Sequence, residues 1–179
     1  MTKRLFIAVE IDPRVKAALA VKSAETKNLG AKPVSEECFH ITLAFLGDTD
    51  EERIADVASS VEAATGGLRK FEVRLEGVAL MSREARVIYT EAESGGCLED
   101  LAKRLSDELS ARGIEKDKKP FRAHVTLGRL RRGATAEVRE YVREARFSET
   151  FTAEFVTVFE SILTPKGPIY EPLATFKLM

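Results

Sequence analysis

The two histidines of this chain open the same tetrapeptide, His40-Ile41-Thr42-Leu43 and His124-Val125-Thr126-Leu127, 84 residues apart. With 13 threonines and 17 leucines in the chain, composition alone would put Thr at +2 and Leu at +3 after both histidines about once in twenty thousand. The pair is therefore an internal repeat. A neutral imidazole accepts a proton and a charged one donates it, and an ordinary pKa near 6.5 lets two of them hold opposite states at neutral pH. Each proton transfer is worth roughly 10²- to 10⁴-fold, about 3 to 5 kcal/mol of barrier, enough for an activated ester without a metal. Hydroxyls and a guanidinium suit a pentacoordinate phosphoryl group, so the chemistry indicated is in-line cleavage of a phosphodiester. Arg129, five residues after His124, is the candidate for the phosphate charge, because its fork binds two oxygens at once.

The elements that must hold these groups are strands. Residues 39–47 and 122–130 are apolar and β-branched, and alternation then points His and Thr at i and i+2 to one face, with Ile41, Leu43, Val125 and Leu127 on the other. Strict alternation would put Arg129 on the wrong face. It reaches the histidines only if the strand bulges near Gly128.

Around these strands, residues 4–11 predict a strand, and Asp12-Pro13 caps a helix running to about residue 29. A helix from about residue 50 carries Ile54, Val57, Ala58 and Val61 on one face, and 69–80 with 86–91 predict an antiparallel pair. Leu98, Leu101, Leu105 and Leu109 mark another helix, 135–146 a short one, and 150–163 and 169–178 two strands separated by a Thr164-Pro165-Lys166-Gly167-Pro168 loop. Strands and helices mix without strict alternation, which gives an α+β class. No linker divides the chain, so 1–179 is expected to be a single domain of two pseudo-symmetric lobes, each contributing one H-x-T-L strand.

Composition excludes several classes. Lys plus Arg number 28 against 29 Asp plus Glu, so there is no basic excess for non-specific duplex binding. The longest apolar runs, 5–9 and 41–46, are far short of the roughly 20 residues of a membrane span, and no secretory signal precedes the first strand. A cytoplasmic location and no membrane partner are expected. Cys38 and Cys97 lack disulfide or metal spacing. Zinc on His40, His124, a carboxylate and Cys38 is the competing reading, as is a Cys38 nucleophile, but no second His or Cys pair completes a ligand set. No metal and no cofactor are expected. Lys116, Lys118, Lys119 and Arg122 lead into the second motif, and Arg131 and Arg132 follow it; Lys118, Lys119 and Arg122 are the candidates to guide a nucleic-acid end. Phe39, Phe121 and Tyr170 are placed to stack on a base, with core packing the expected fate of the phenylalanines and Tyr170 the residue for the cleft rim.

Paired H-x-T-L motifs about eighty residues apart, with RLFIAVEI at the start, FHITLAFLG, PFRAHVTLGR and a closing S-x-L-T-P-x-G-x-x-Y, resemble the 2H phosphoesterase superfamily and its LigT-like branch. That branch comprises RNA 2',3'-cyclic phosphodiesterases, also called 2'-5' RNA ligases. The resemblance implies a bilobal fold with two antiparallel sheets around a central cleft and helices outside. It implies metal-free hydrolysis of a terminal 2',3'-cyclic phosphate to a 2'-phosphate. His40 would protonate the departing 3'-oxygen, His124 would take the proton of water, and Thr42, Thr126 and Arg129 would hold phosphate oxygens. The expected partner is an RNA with a 2',3'-cyclic end, such as a tRNA fragment, or a cyclic nucleotide, met by a monomer. A 2'-5' RNA ligase and a non-catalytic module that binds RNA ends or nucleotides are the alternatives.

Overall fold

A computed structural model of the chain describes residues 1–81 and 83–179. One sheet holds β1 (Thr2–Glu10), β3 (His40–Asp50), β8 (Phe155–Thr164) and β9 (Gly167–Lys177), in the order β3-β1-β8-β9. The other holds β2 (Ala31–Pro33), β4 (Phe71–Met81), β5 (Val87–Glu93), β6 (His124–Leu130) and β7 (Ser148–Ala153), in the order β2-β6-β5-β4-β7. Every pairing among the described residues is antiparallel.

The helices cover one face of each sheet. Asp12 caps α1 (Pro13–Glu25) by accepting from the Arg14 amide at 2.8 Å, with Pro13 in the first turn where no N–H is needed. α1 then packs on β6 and β7. α2 (Ile54–Thr65) lies against β8 and β9, and α3 (Cys97–Ala111) against α2 and β3, burying Leu98, Leu101, Leu105 and Leu109 in one stripe. α4 (Ala136–Glu144), capped by Thr135, rests on β4. Ile41, Leu43, Val125 and Leu127 face these helices in a contiguous buried cluster with Leu5, Ile7, Val9, Leu75 and Ile88. Burying each such side chain contributes roughly 1.5 to 3 kcal/mol, which binds the strands to the face that leaves His and Thr outward.

The α+β class, the paired β4 and β5 and the helices agree with the sequence; three local features do not. The expected strand 150–163 is two strands in different sheets, broken at Glu154. The reason is a change of parity: Phe151 and Ala153 are buried at odd positions, Val156 and Val158 at even ones, so the chain must cross from one sheet to the other between them. Instead of a loop, residues after Thr164 form a tight turn, with Thr164 and Gly167 directly paired and Gly167 at φ 131°. The three-residue β2 carries too little pattern to be read in advance, yet it pairs Lys32 with Arg129 and Pro33 with Gly128 at the edge of the second sheet.

Candidate active site

The two motif strands carry the same irregularity. In β3, Thr42 lies opposite Ala8 and Ala44 opposite Ile7, so Leu43 is an extra residue; in β6, Thr126 lies opposite Tyr89 and Gly128 opposite Ile88, so Leu127 is. Each strand consequently buries two consecutive residues, Leu43-Ala44 and Leu127-Gly128, and the next residue returns to the face of the histidine. That residue is Phe45 in β3 and Arg129 in β6. The bulge near Gly128 thus answers the alternation problem, and Arg129 stands on the same face as His124 and Thr126.

Each histidine is held in the same way. His40 Nδ1 donates to the Cys38 carbonyl at 2.7 Å, and His124 Nδ1 donates to the Arg122 carbonyl at 2.7 Å. A carbonyl can only accept, so both rings carry their first proton on Nδ1 and turn Nε2 toward the open face. Thr42 Oγ1 meets His40 Nε2 at 2.8 Å, donating to it when the ring is neutral. Directly across the neighbouring strands lie two carboxylates in matching places, Glu10 opposite His40 and Glu91 opposite His124.

The surroundings of the two rings differ. Phe6 packs on His40 with ring centres 4.9 Å apart, and Tyr170 meets it edge-on at 5.3 Å. A cavity of about 150 Å3 opens here, lined by His40 with Glu10, Lys16, Phe159, Tyr170 and Pro172. Around His124, Tyr89 stands edge-on at 5.6 Å, and the Arg122 guanidinium lies over Tyr89 at 5.2 Å while reaching Glu91 at 3.4 Å. A larger cavity, about 460 Å3, lies between α4 and the β4 and β7 strands and includes none of these residues.

Burial drives the His40 pKa from 6.5 down to about 4, opposed by the Cys38 carbonyl and assisted by the charges of His124, Lys16 and Arg129. Burial also lowers His124, opposed by the Arg122 carbonyl and assisted by Arg129 and Arg122. Two consequences follow. β3 and β6, from different sheets, lie in contact, and the charge of His124 bears on His40 while that of Arg129 bears on both and on Tyr170, so one site gathers residues from both sheets. Desolvation and neighbouring cations disfavour imidazolium at both rings, more strongly at His40, so the free protein does not favour the charged form of either. A phosphate anion would reverse that balance.

Other sequence candidates fall differently. Tyr170 lies edge-on against His40. Lys118 and Lys119 are exposed in the loop before β6, Lys119 with Asp117 at 3.7 Å, and Arg122 is engaged with Glu91 and Tyr89. Cys38 is not on the strand beside His40. It ends a 3-10 turn (Glu36–Cys38), where its thiol donates to the Pro168 carbonyl at 3.5 Å. Among the described residues no three of His, Cys, Asp and Glu gather as metal ligands. Phe39 is buried and Phe121 is half-buried against the core, so neither is free to stack on a base. Sequence reasoning misses Glu10, Glu91, Phe6, Phe45 and Lys16. Glu10 ends its apolar strand, and Phe45 repeats the spacing of Arg129, signals present in the sequence; Lys16 comes from α1 and has none.

Among proteins of known kind, the RNA 2',3'-cyclic phosphodiesterase of Archaeoglobus fulgidus is 36% identical, over 97% of this chain and 99% of its own. That of Thermotoga maritima is 31% identical, over 95% and 92%. The crystal structure of TT0787 of Thermus thermophilus matches with a TM-score of 0.84 and 32% identity, covering 98% of this chain and 97% of that one. Escherichia coli LigT complexed with 3'-AMP shares the fold at a TM-score of 0.83, with 22% identity and 99% of both chains covered. The model of the 2'-5' RNA ligase superfamily matches residues 12–162, and with these relatives it makes this chain a member of that family.

Proposed function

We propose that this protein is an RNA 2',3'-cyclic phosphodiesterase that opens a terminal cyclic phosphate to a 2'-phosphomonoester, with His40 and His124 as its catalytic acid and base. The observation that carries the proposal is the shared bulge, which turns Arg129 to the face already holding His124 and Thr126, within electrostatic reach of His40. The relatives named RNA 2',3'-cyclic phosphodiesterase support it over nearly the whole length of the chain.

The steps use the chain's own groups. His124 Nε2 accepts a proton from water as its oxygen bonds to phosphorus, and the bond from phosphorus to the 3'-oxygen breaks. His40, protonated when the anionic substrate enters, gives its Nε2 proton to that oxygen. Thr42, Thr126 and Arg129 bind the non-bridging oxygens as negative charge grows on them. Fixing both Nδ1 donors on backbone carbonyls keeps the rings oriented before substrate arrives.

In this reading residues 1–179 form one domain of two pseudo-symmetric halves, supported by the matching bulges and the matching places of Glu10 and Glu91. The substrates include RNA ends such as tRNA fragments, Lys118, Lys119 and Arg122 contact the RNA, and Tyr170 lines the cleft. The protein acts as a monomer in the cytoplasm. No helix among the described residues is long and apolar enough to cross a membrane.

The test is incubation with an oligonucleotide ending in a 2',3'-cyclic phosphate, in excess EDTA, followed by product identification. A 2'-phosphate product is expected, with at least about a hundredfold loss in His40→Ala and in His124→Ala. A 2'-5' linked product with a 5'-hydroxyl RNA would make the protein a ligase, tight binding without turnover a binding module, and near-normal rates in either variant would overturn the mechanism.

A further inference from the structure

The second sheet ends on the short edge strand β2, whose middle residue, Lys32, lies directly across from Arg129. Directly opposite residues of an antiparallel pair point to one face, with Cβ atoms about 5 Å apart. Ala31 is buried on the core side, where its Cβ would meet a Cβ on Gly128 at 3.3 Å; Lys32 alternates with it and therefore stands with Arg129, Thr126 and His124. Both cations are exposed, and among the described residues neither side chain has an ion pair or a hydrogen bond. Like charges set directly opposite destabilise a strand pair, so two unneutralised cations here cost the free protein something and suit an anion brought from outside. The Lys32 ammonium also approaches the first sheet. Its Nζ lies 3.7 Å from the place of a Cβ on Gly167, in the turn that leads into β9 and so to Tyr170, which meets His40. Lys32 thus stands between the two sheets, just beyond Arg129.

We propose that Lys32 is a specificity residue that holds a second phosphate of the RNA, the phosphodiester one nucleotide upstream of the reacting 2',3'-cyclic end. The inference rests on the phosphodiesterase reading and names a further part of its substrate. The charges that bear on the two imidazoles are those of Lys16, Arg122, Arg129 and His124; Lys32, one strand farther out, is not one of them. Its charge is therefore placed beside the reacting centre rather than at it. An RNA strand carries a phosphate at every nucleotide, whereas a cyclic mononucleotide has only the one that reacts. Two neighbouring cations answer two neighbouring phosphates. The guanidinium fork of Arg129 suits the reacting phosphoryl group, whose charge grows over several oxygens; an ammonium on a flexible stem suits a phosphodiester that needs one charge and no fixed geometry. In this arrangement Lys32 separates RNA ends from free cyclic mononucleotides.

The kinetic part of the test depends on the phosphodiesterase reading; the binding part does not. Turnover of a diadenosine dinucleotide ending in a 2',3'-cyclic phosphate is compared with that of the same dinucleotide whose internal phosphate is a neutral methylphosphonate. Only the charge of the upstream group differs. In the wild-type protein kcat/KM favours the charged dinucleotide. Lys32→Gln cuts that preference about five- to tenfold, chiefly through KM, and Lys32→Arg keeps most of it. A wild-type protein that turns over both dinucleotides equally well, or a Lys32→Gln loss that is the same on both, overturns the proposal. Titration with the corresponding dinucleotide 2'-phosphates at several salt concentrations gives a reading without turnover. For the charged ligand, the slope of log affinity against log salt is shallower in Lys32→Gln by about 0.7, as expected when one phosphate contact on a single strand is lost; for the methylphosphonate the two proteins have one slope. Were the wild-type protein to hydrolyse neither dinucleotide, the phosphodiesterase reading would fall and the titration would still decide the role of Lys32. Equal slopes and affinities of wild type and Lys32→Gln for the charged ligand would reject it.

Discussion

Arg129 shares a face of β6 with His124 although it stands five positions on, an odd number, because Leu127 is the extra residue between Thr126 and Gly128. Gly128 follows that bulge with its Cα pressed against buried Thr26 and Ala31: a Cβ there would lie 2.6 Å from Thr26 Oγ1 and 3.3 Å from the Ala31 Cβ. The close approach couples a packing requirement to the aim of a guanidinium.

Gly128→Ala is accordingly expected to lower both stability and activity. Thr26 is fully buried, branched at Cβ and donating to the Ser23 carbonyl at 2.7 Å, so it cannot swing aside and the strand must move. Overpacking of this kind costs about 1 to 3 kcal/mol, read as a lower denaturation midpoint, and kcat/KM should fall well below the unfolding temperature as Arg129 shifts. Adding Thr26→Ala removes the nearest atom and should recover much of both losses. Full activity in the single variant would show that the bulge does not aim Arg129.

The dependence of kcat/KM on pH should have its maximum below pH 6.5. In the proposed mechanism the productive form of the free protein needs His40 charged and His124 neutral, yet burial holds His40 at about 4 and His124 below its ordinary value. Raising the pH through that region removes the proton His40 must donate. Once the phosphodiester anion is bound it favours imidazolium, so the alkaline limb of kcat should lie at higher pH than that of kcat/KM. A kcat/KM flat from pH 5 to 9, or still rising above 7, would contradict the acid role of His40, provided chemistry limits the rate.

Stability should also fall on acidification. A histidine at about 4 when folded and 6.5 when unfolded binds fewer protons in the native state, so its contribution is present above about 6.5 and is lost as pH drops toward 4. The full difference is worth about 3 kcal/mol. Urea denaturation at pH 7 and pH 4.5 should show a loss of that order beyond what His40→Gln shows over the same interval. Equal pH dependence in the two proteins would mean that His40 is as easily charged folded as unfolded.

How much of the site was legible turns on the distinction between periodicity and its interruptions. The duplicated H-x-T-L, lying within β-branched strands, is a local pattern, and alternation alone aims His40, Thr42, His124 and Thr126 away from the core. Phe45 was hidden by that same rule, and Arg129 was placed only on condition of a bulge near Gly128, since one extra residue reverses every side chain after it. The break at Glu154 was readable as a change of parity, but which sheet each half joins was not. Lys16 belongs to a helix of distant sequence, and nothing in a linear pattern places it beside His40.

By itself the sequence determined the class of fold, the repeated strands and which imidazoles and hydroxyls share a strand face, because these depend on residue type and on side-chain direction over two to four positions. The tertiary structure decided the rest. It brought two strands 84 residues apart into electrostatic contact, set Arg129 within reach of both histidines, and lowered both imidazole pKa values. Protonation depends on how much water and which charges surround a ring, and those are properties of the assembled sheets rather than of any segment.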